Sequence, residues 1–108
     1  MTRRDRRFLI RGVGPGLLPF GVTDALADPV LNLTSSTGES LFRNDDWGAA
    51  ANATEVAATS ARLGAFALAP GSKDAALLVT LAPGNYTALV SGAGDGTGTA
   101  LIEVYEVP

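Results

Sequence analysis

The sequence predicts an all-β sandwich of two antiparallel sheets with one short helix. Three observations carry that prediction. The stretch from Asp74 to Val107 reads as three apolar strands, DAALLVTL, YTALVSG and ALIEVYEV, joined by the turn-forming loops APGN and AGDGTGT. Upstream, the short runs RFLIRGV, VLNLT and SLFR lie between Gly-, Pro- and Ser-rich breaks. Only one segment, 49–64, places apolar residues at helical spacing.

Composition narrows the function classes. At 108 residues the chain is one domain; a chain of this size buries roughly two-thirds of the surface its unfolded form exposes, so a core forms without staples. Residues 1–6 read as a basic arm and 7–108 as the sandwich. The chain has no cysteine and no histidine. This removes disulfides, thiolate metal sites, the usual zinc ligand, the commonest general base and every Ser-His-Asp arrangement. There is no long apolar run of the kind that spans a bilayer, so no membrane insertion is expected. MTRRDRRFLIRGVGPG is not a signal peptide, because Arg11 cuts its apolar run. If the protein is exported, its signal lies outside this chain.

Charge divides unevenly. Arg3, Arg4, Arg6, Arg7 and Arg11 are five of the eight basic residues. From residue 12 onward three basic residues face ten acidic ones, a balance of −7. A basic arm before an acidic body fits either an acidic partner or a solvated leader whose charges guard a strand edge. Nucleic acid is not the expected partner, since the body repels phosphate.

The elements follow in order. Arg7 to Val13 is the first strand, with Phe8 and Ile10 on one face and Leu9 and Arg11 on the other. GVGPG ends it; its glycines resemble a phosphate loop but lack the Walker lysine. In the irregular stretch 17–29, Leu17, Leu18, Phe20, Val22 and Leu26 are expected to plug an open end of the core. Val30–Thr34 and Ser40–Arg43 form a hairpin around SSTGE. A short helix lies near 52–63, with Asn52 and Glu55 as an N-cap pair and Gly64 at its C-terminal end. Ala65–Leu68 reads as a short strand. Ala75–Leu81 is nearly all apolar, as for a central strand, or for one with a partner over its outer face. Pro83 and Gly84 fit the middle of a type II turn. Gly92–Gly98 is a flexible hairpin loop, and Ala100–Val107 closes the sheet, with Ile102 and Val104 on one face and Glu103 and Tyr105 on the other.

NDDWG at 44–48 is the most chemically suggestive spot. Asn44, Asp45 and Asp46 place three side-chain oxygens in a row, the donor type a hard cation such as Ca²⁺ takes. The competing reading has Asn44 and Asp45 capping a turn and Trp47 covering the sandwich edge. Trp47 and Asp95 are the candidate binding residues on loops. Asp28, Asp74 and Asp95 fall in turns, which explains them without chemistry, and a small domain leaves little room for the facing carboxylates of a glycosidase. No enzyme is expected.

The ordered set RGVGP, FGV, LADPVLNL, NDDWG, GAFAL, DAALLVTLAPGNYTALVSG and TGTALIEVYEV resembles a β-rich repeat domain of large secreted verrucomicrobial-type bacterial proteins. The resemblance covers Arg7 to Val107. More distantly, LNLTSSTGESLFRNDD, LAPGNYTALVSG and TALIEVYEV are similar to the bacterial pre-peptidase C-terminal domain. That second resemblance implies a jelly-roll-like sandwich and a non-catalytic appendage of a secreted protein, some relatives binding calcium or matrix. Relatives of the first family carry further glycine-rich strands before RGVGP, so a missing strand partner is expected to come from another copy. Together these readings imply a secreted or cell-surface module for binding or adhesion. Its partner would be a protein or polysaccharide at the cell surface. The alternative is a self-assembling subunit, a homo-oligomer in which Arg7, Phe8, Leu9, Ile10 and Arg11 exchange between copies by strand addition.

Overall fold

The structure, a computed structural model, describes residues 5–108. Of the expected basic arm, positions 1–4 lie outside the described residues, and Arg6 already belongs to the first strand. The elements are β1 (Arg6–Val13), β2 (Pro29–Ser35), β3 (Ser40–Asn44), α1 (Ala53–Arg62), β4 (Ala75–Leu81), β5 (Tyr86–Gly92) and β6 (Leu101–Val107). Among the described residues they form two three-stranded sheets, ordered β4-β1-β6 and β3-β2-β5, with each strand pair antiparallel; one isolated parallel bridge joins Ala25 to Thr99 just before β6. The predicted all-β sandwich with one short helix is the architecture observed.

The alternation in β1 explains the layers. Phe8 and Ile10 face the second sheet, where Ile10 packs with Leu31, Leu33, Leu77 and Val79. Leu9 and Val13 face the other way, into a second core with Leu17, Trp47, Val56 and Leu68. The first sheet is therefore covered on both faces, by the second sheet inside and by α1 and its flanking loops outside. This accounts for the nearly continuous apolar run of β4. That strand is not central as the sequence reading allowed; it lies at a sheet edge, with its outer face covered.

The three C-terminal strands do not form successive hairpins. β4 and β6 flank β1 in one sheet, and β5 lies in the other, so the loops at 82–85 and 93–100 cross between sheets. β1 is buried from Leu9 to Val13 on both faces, which suits it to the centre, and it takes β4 and β6 as its two partners. The β2–β3 hairpin is as predicted. Its turn is closed by Gly38 at φ +87° and by the Gly38 N–H donating to Ser35 O, with a bulge between Leu33 and Thr34.

α1 matches the predicted helix, with Val56, Thr59 and Ser60 on its buried face. Asn52 accepts the Val56 N–H through its backbone carbonyl, and its side chain makes no cap bond. Gly64, at φ +77°, ends the helix by donating to Ala61 O while Ala65 donates to Ser60 O. The expected strand at 65–68 is irregular. Its Phe66 carbonyl turns instead to the buried Arg11 guanidinium, 2.6 Å from Nη1. In the stretch 17–29, Leu17 and Leu26 plug the core as expected, whereas Leu18 and Phe20 are exposed on a 3-10 segment spanning Pro15–Phe20.

Candidate functional site

The glycine loop after β1 is an anion cradle that the chain fills itself. Asp74 is fully buried. Its Oδ1 accepts the Gly14 N–H at 2.8 Å and the Gly16 N–H at 3.1 Å, and its Oδ2 accepts the Ser72 hydroxyl at 2.8 Å. Glycine is required by space at Gly14, where a Cβ would meet Leu26 O at 2.1 Å; a Cβ on Gly16 would crowd Val13 Cγ1 at 2.9 Å and Asp74 Oδ2 at 3.1 Å. The loop thus binds a carboxylate of its own rather than a phosphate.

The acidic site at the end of the β2–β3 hairpin differs from the one the sequence suggested. Asn44 is committed to the backbone: its Oδ1 accepts the Ala76 N–H at 3.0 Å and its Nδ2 donates to Asp46 O at 3.3 Å. Asp28 takes its place. The register that sets Leu31 opposite Asn44 carries Asp28, just before β2, alongside Asp45 and Asp46, just after β3. One carboxylate oxygen from each lies within 4.8 Å of the other two. Two oxygens bound to one calcium at 2.3–2.6 Å lie at most about 5 Å apart, so the spacing fits. Asp28 Oδ1 and Asp45 Oδ1 are shut off from solvent, and among the described residues no amide, guanidinium or hydroxyl donates to either. The Asp45 carboxyl is pushed above its ordinary value of 3.8, first by a hydrogen bond with Asp28, then by desolvation and by the charges of Asp28 and Asp46; Arg43 opposes the shift.

The other expected site residues are dispersed. Trp47 is a core residue, 9% exposed, with its indole N–H donating to Ala69 O at 3.2 Å; it offers no free ring face for stacking on a ligand. Asp95 is exposed at a loop tip with φ +62°, outside the carboxylate trio. Arg7 reaches across to Glu55 on α1 at 3.1 Å. Phe8, Leu9, Ile10 and Arg11 lie in the central strand, paired on both sides, so exchanging them between copies would require the whole first sheet to open.

The sequence reading missed the open flank between β5 and β6. Each sheet has three strands where an eight-stranded jelly roll has four. Among the described residues, nothing pairs with the outer edge of β5 or of β6. Both edges border the same opening. At one end a concavity of about 640 Å³ is lined by Phe8, Ile10, Tyr86, Ala88 and Val104, with Arg6 at its rim. At the other end Val90, Gly92, Ala100 and Ile102 line a second hollow. The second sheet is offset toward β4: β2 packs against both β1 and β4, and Val90 of β5 reaches across to β1, where a Cβ on Gly12 would meet its Cγ2 at 2.9 Å. β6 therefore overhangs, and its inward Ile102 and Val104 are 42% and 58% exposed. The signal available in the sequence was a strand, YTALVSG, without charge or proline. Long apolar edges usually carry such guards.

Comparison with known proteins finds no family model, no curated protein and no solved structure that matches this chain. Among the described residues, no helix is long and apolar enough to cross a membrane.

Proposed function

We propose that this chain is a non-catalytic extracellular β-sandwich module for binding or adhesion, and that it binds by accepting a strand along its open flank. One observation carries the reading: among the described residues, two unpaired edges border an apolar inner face on which Ile102 and Val104 stand uncovered. Strand addition supplies the missing main-chain hydrogen bonds, and alternate side chains of the added strand fill the hollows. The concavity at the Tyr86 end of the flank is lined mainly by apolar side chains, with no acid among them, which favours recognition over chemistry. The resemblance to repeat domains of large secreted bacterial proteins supports an extracellular setting at the cell surface. Calcium enters as a stabiliser of the loop end, held by Asp28, Asp45 and Asp46.

The test is an NMR titration of the isotopically labelled 108-residue chain with a synthetic peptide of sequence ALIEVYEV, which presents alternating apolar residues. Shifts concentrated on β5 and β6 are expected. Shifts at β3 and β4 alone, or none at all in a monomeric chain, would overturn the reading.

A further inference from the structure

The geometry points to a second copy of this chain as the occupant of the open flank, in a closed two-fold dimer where β6 of each copy pairs antiparallel with β5 of the other. This rests on reading the flank as the binding surface, and goes further by naming the partner and the arrangement.

The strand directions carry it. β1 runs toward Gly14, which lies against Leu26 and Pro29 at the start of β2, so β2 returns in the opposite sense. β5 is antiparallel to β2 and β6 is antiparallel to β1. The two free edges are therefore antiparallel to each other. They are also equally long, at seven residues each. A two-fold axis parallel to the strands exchanges the layers. It sets each overhanging β6 into the place beside β5 that the other copy leaves open. Both new pairings are antiparallel, like the four strand pairings among the described residues. The result is two continuous six-stranded sheets, ordered β3-β2-β5 and then β6-β1-β4 of the second copy. Such an isologous contact closes on itself and does not propagate.

The side chains agree with that placement. Ile102 and Val104 of the two copies meet across the axis and complete the inner layer that neither copy covers alone. Heights along the strands follow from β1: Ile102 is paired with Gly12 in the sheet, and Val90 lies over Gly12 from the other layer. Val90 thus neighbours Ile102 of the second copy, and by antiparallel register Ser91 neighbours its Leu101. The pairing meets little charge: β5 has none, and the two acids of β6 are answered within the chain, Glu103 by Arg11 and Glu106 by Arg6.

Sedimentation equilibrium across a wide concentration range is the first test, with a dimer expected. Val104→Glu and, separately, Ile102→Lys should raise the dimer dissociation constant by at least about 100-fold, as for central interface positions. Both side chains are exposed in the single copy, and far-UV circular dichroism checks that the variants fold. Phe42→Lys, at an exposed apolar position on the opposite edge strand, should leave the dimer intact. Because the chain has no cysteine, Ser91→Cys and Leu101→Cys chains mixed under mild oxidation should give the mixed disulfide as the main product. Homodisulfides in its place, or loss of the dimer with Phe42→Lys alone, would overturn the arrangement. A monomer whose β5 and β6 signals still shift with the ALIEVYEV peptide would overturn the second copy as partner and leave the strand-binding reading standing. A monomer that ignores the peptide would overturn both.

Discussion

Arg11 and Glu103 face each other across the β1–β6 pair, with Nε donating to Oε1 at 2.8 Å and the guanidinium wholly removed from water. The same guanidinium donates from Nη1 to Phe66 O and lies 4.5 Å from the centroid of the Phe66 ring. Glu103 also accepts the Tyr105 hydroxyl at 2.9 Å. A charge in the middle of an apolar strand is thus the pin between the first sheet and the irregular segment at 65–68.

Removing only the cation should be worse than removing the pair. Arg11→Met leaves a largely buried carboxylate and a carbonyl without their donor, and should destabilise the fold by about 3–5 kcal/mol. Replacing both, as Arg11→Met with Glu103→Leu, should recover most of that loss, because two buried charges are exchanged for apolar packing. Urea unfolding of the single and double variants measures the difference. Equal destabilisation by both would show that the ion pair is not the linking element.

Asp74 should act as a folding determinant. Asp74→Ala strips the Gly14 and Gly16 amides and the Ser72 hydroxyl of their shared acceptor. Hydrogen bonds to charged groups contribute roughly 1.5–3 kcal/mol each, and burial leaves the orphaned Gly14 amide without water, so a loss of about 3 kcal/mol or more is expected. Asp74→Asn keeps one acceptor oxygen and should lose less. Amide exchange at Gly14 and Gly16 reports the same bonds directly. Unchanged protection in the alanine variant would contradict this role.

What was legible in the sequence was local, and what was missed was non-local. The two faces of β1, the β2–β3 hairpin and α1 each follow from residues close together in the chain. The pairing of β1 with both β4 and β6 does not, because a short Pro-Gly loop serves a crossing between sheets as well as a hairpin; Gly84 is not at positive φ, so the expected type II turn does not form there. The acidic site was half legible. Asp45 and Asp46 stand out, but Asp28 joins them only through the hairpin register, and Asn44 leaves because the Ala76 amide of the other sheet takes its oxygen. Alternation placed Ile102 and Val104 on one face correctly; that nothing among the described residues covers this face is a property of the sheet order alone.

Tyr105 should ionise late. Desolvation, then its hydrogen bond to Glu103 and the charge of Glu103, push its hydroxyl above the ordinary value of 10.0, and Arg11 only partly opposes them. The folded state therefore holds the proton after the unfolded state has lost it. Its stability contribution is present below the ordinary value and is lost as pH rises from there through the folded one. Absorbance titration of the phenolates should show one tyrosine delayed, and Glu103→Gln should bring it earlier. A Tyr105 that titrates at the ordinary value of 10.0 in the parent chain would contradict the buried hydrogen bond.

The acidic trio makes a calcium prediction with a definite pH sign. Three carboxylates this close repel one another without a cation, and Asp45 relieves this by holding a proton to a higher pH than usual. Without calcium, stability should fall as pH rises from about 3.8 through the raised value, because the folded state binds the proton more tightly than the unfolded one. Calcium at the trio would take the deprotonated form, so its stabilisation should grow with pH over the same window and vanish in acid. At neutral pH, calcium at 100 times its dissociation constant adds about 2.7 kcal/mol, a rise in Tm of roughly 10–20 °C for a domain of this size. Melting in calcium and then in excess chelator measures it. Asp28→Asn should abolish the increment as fully as Asp45→Asn, whereas Asp95→Asn should leave it unchanged. If Asp28→Asn keeps the full increment, calcium is held elsewhere and the trio is only a repulsive turn.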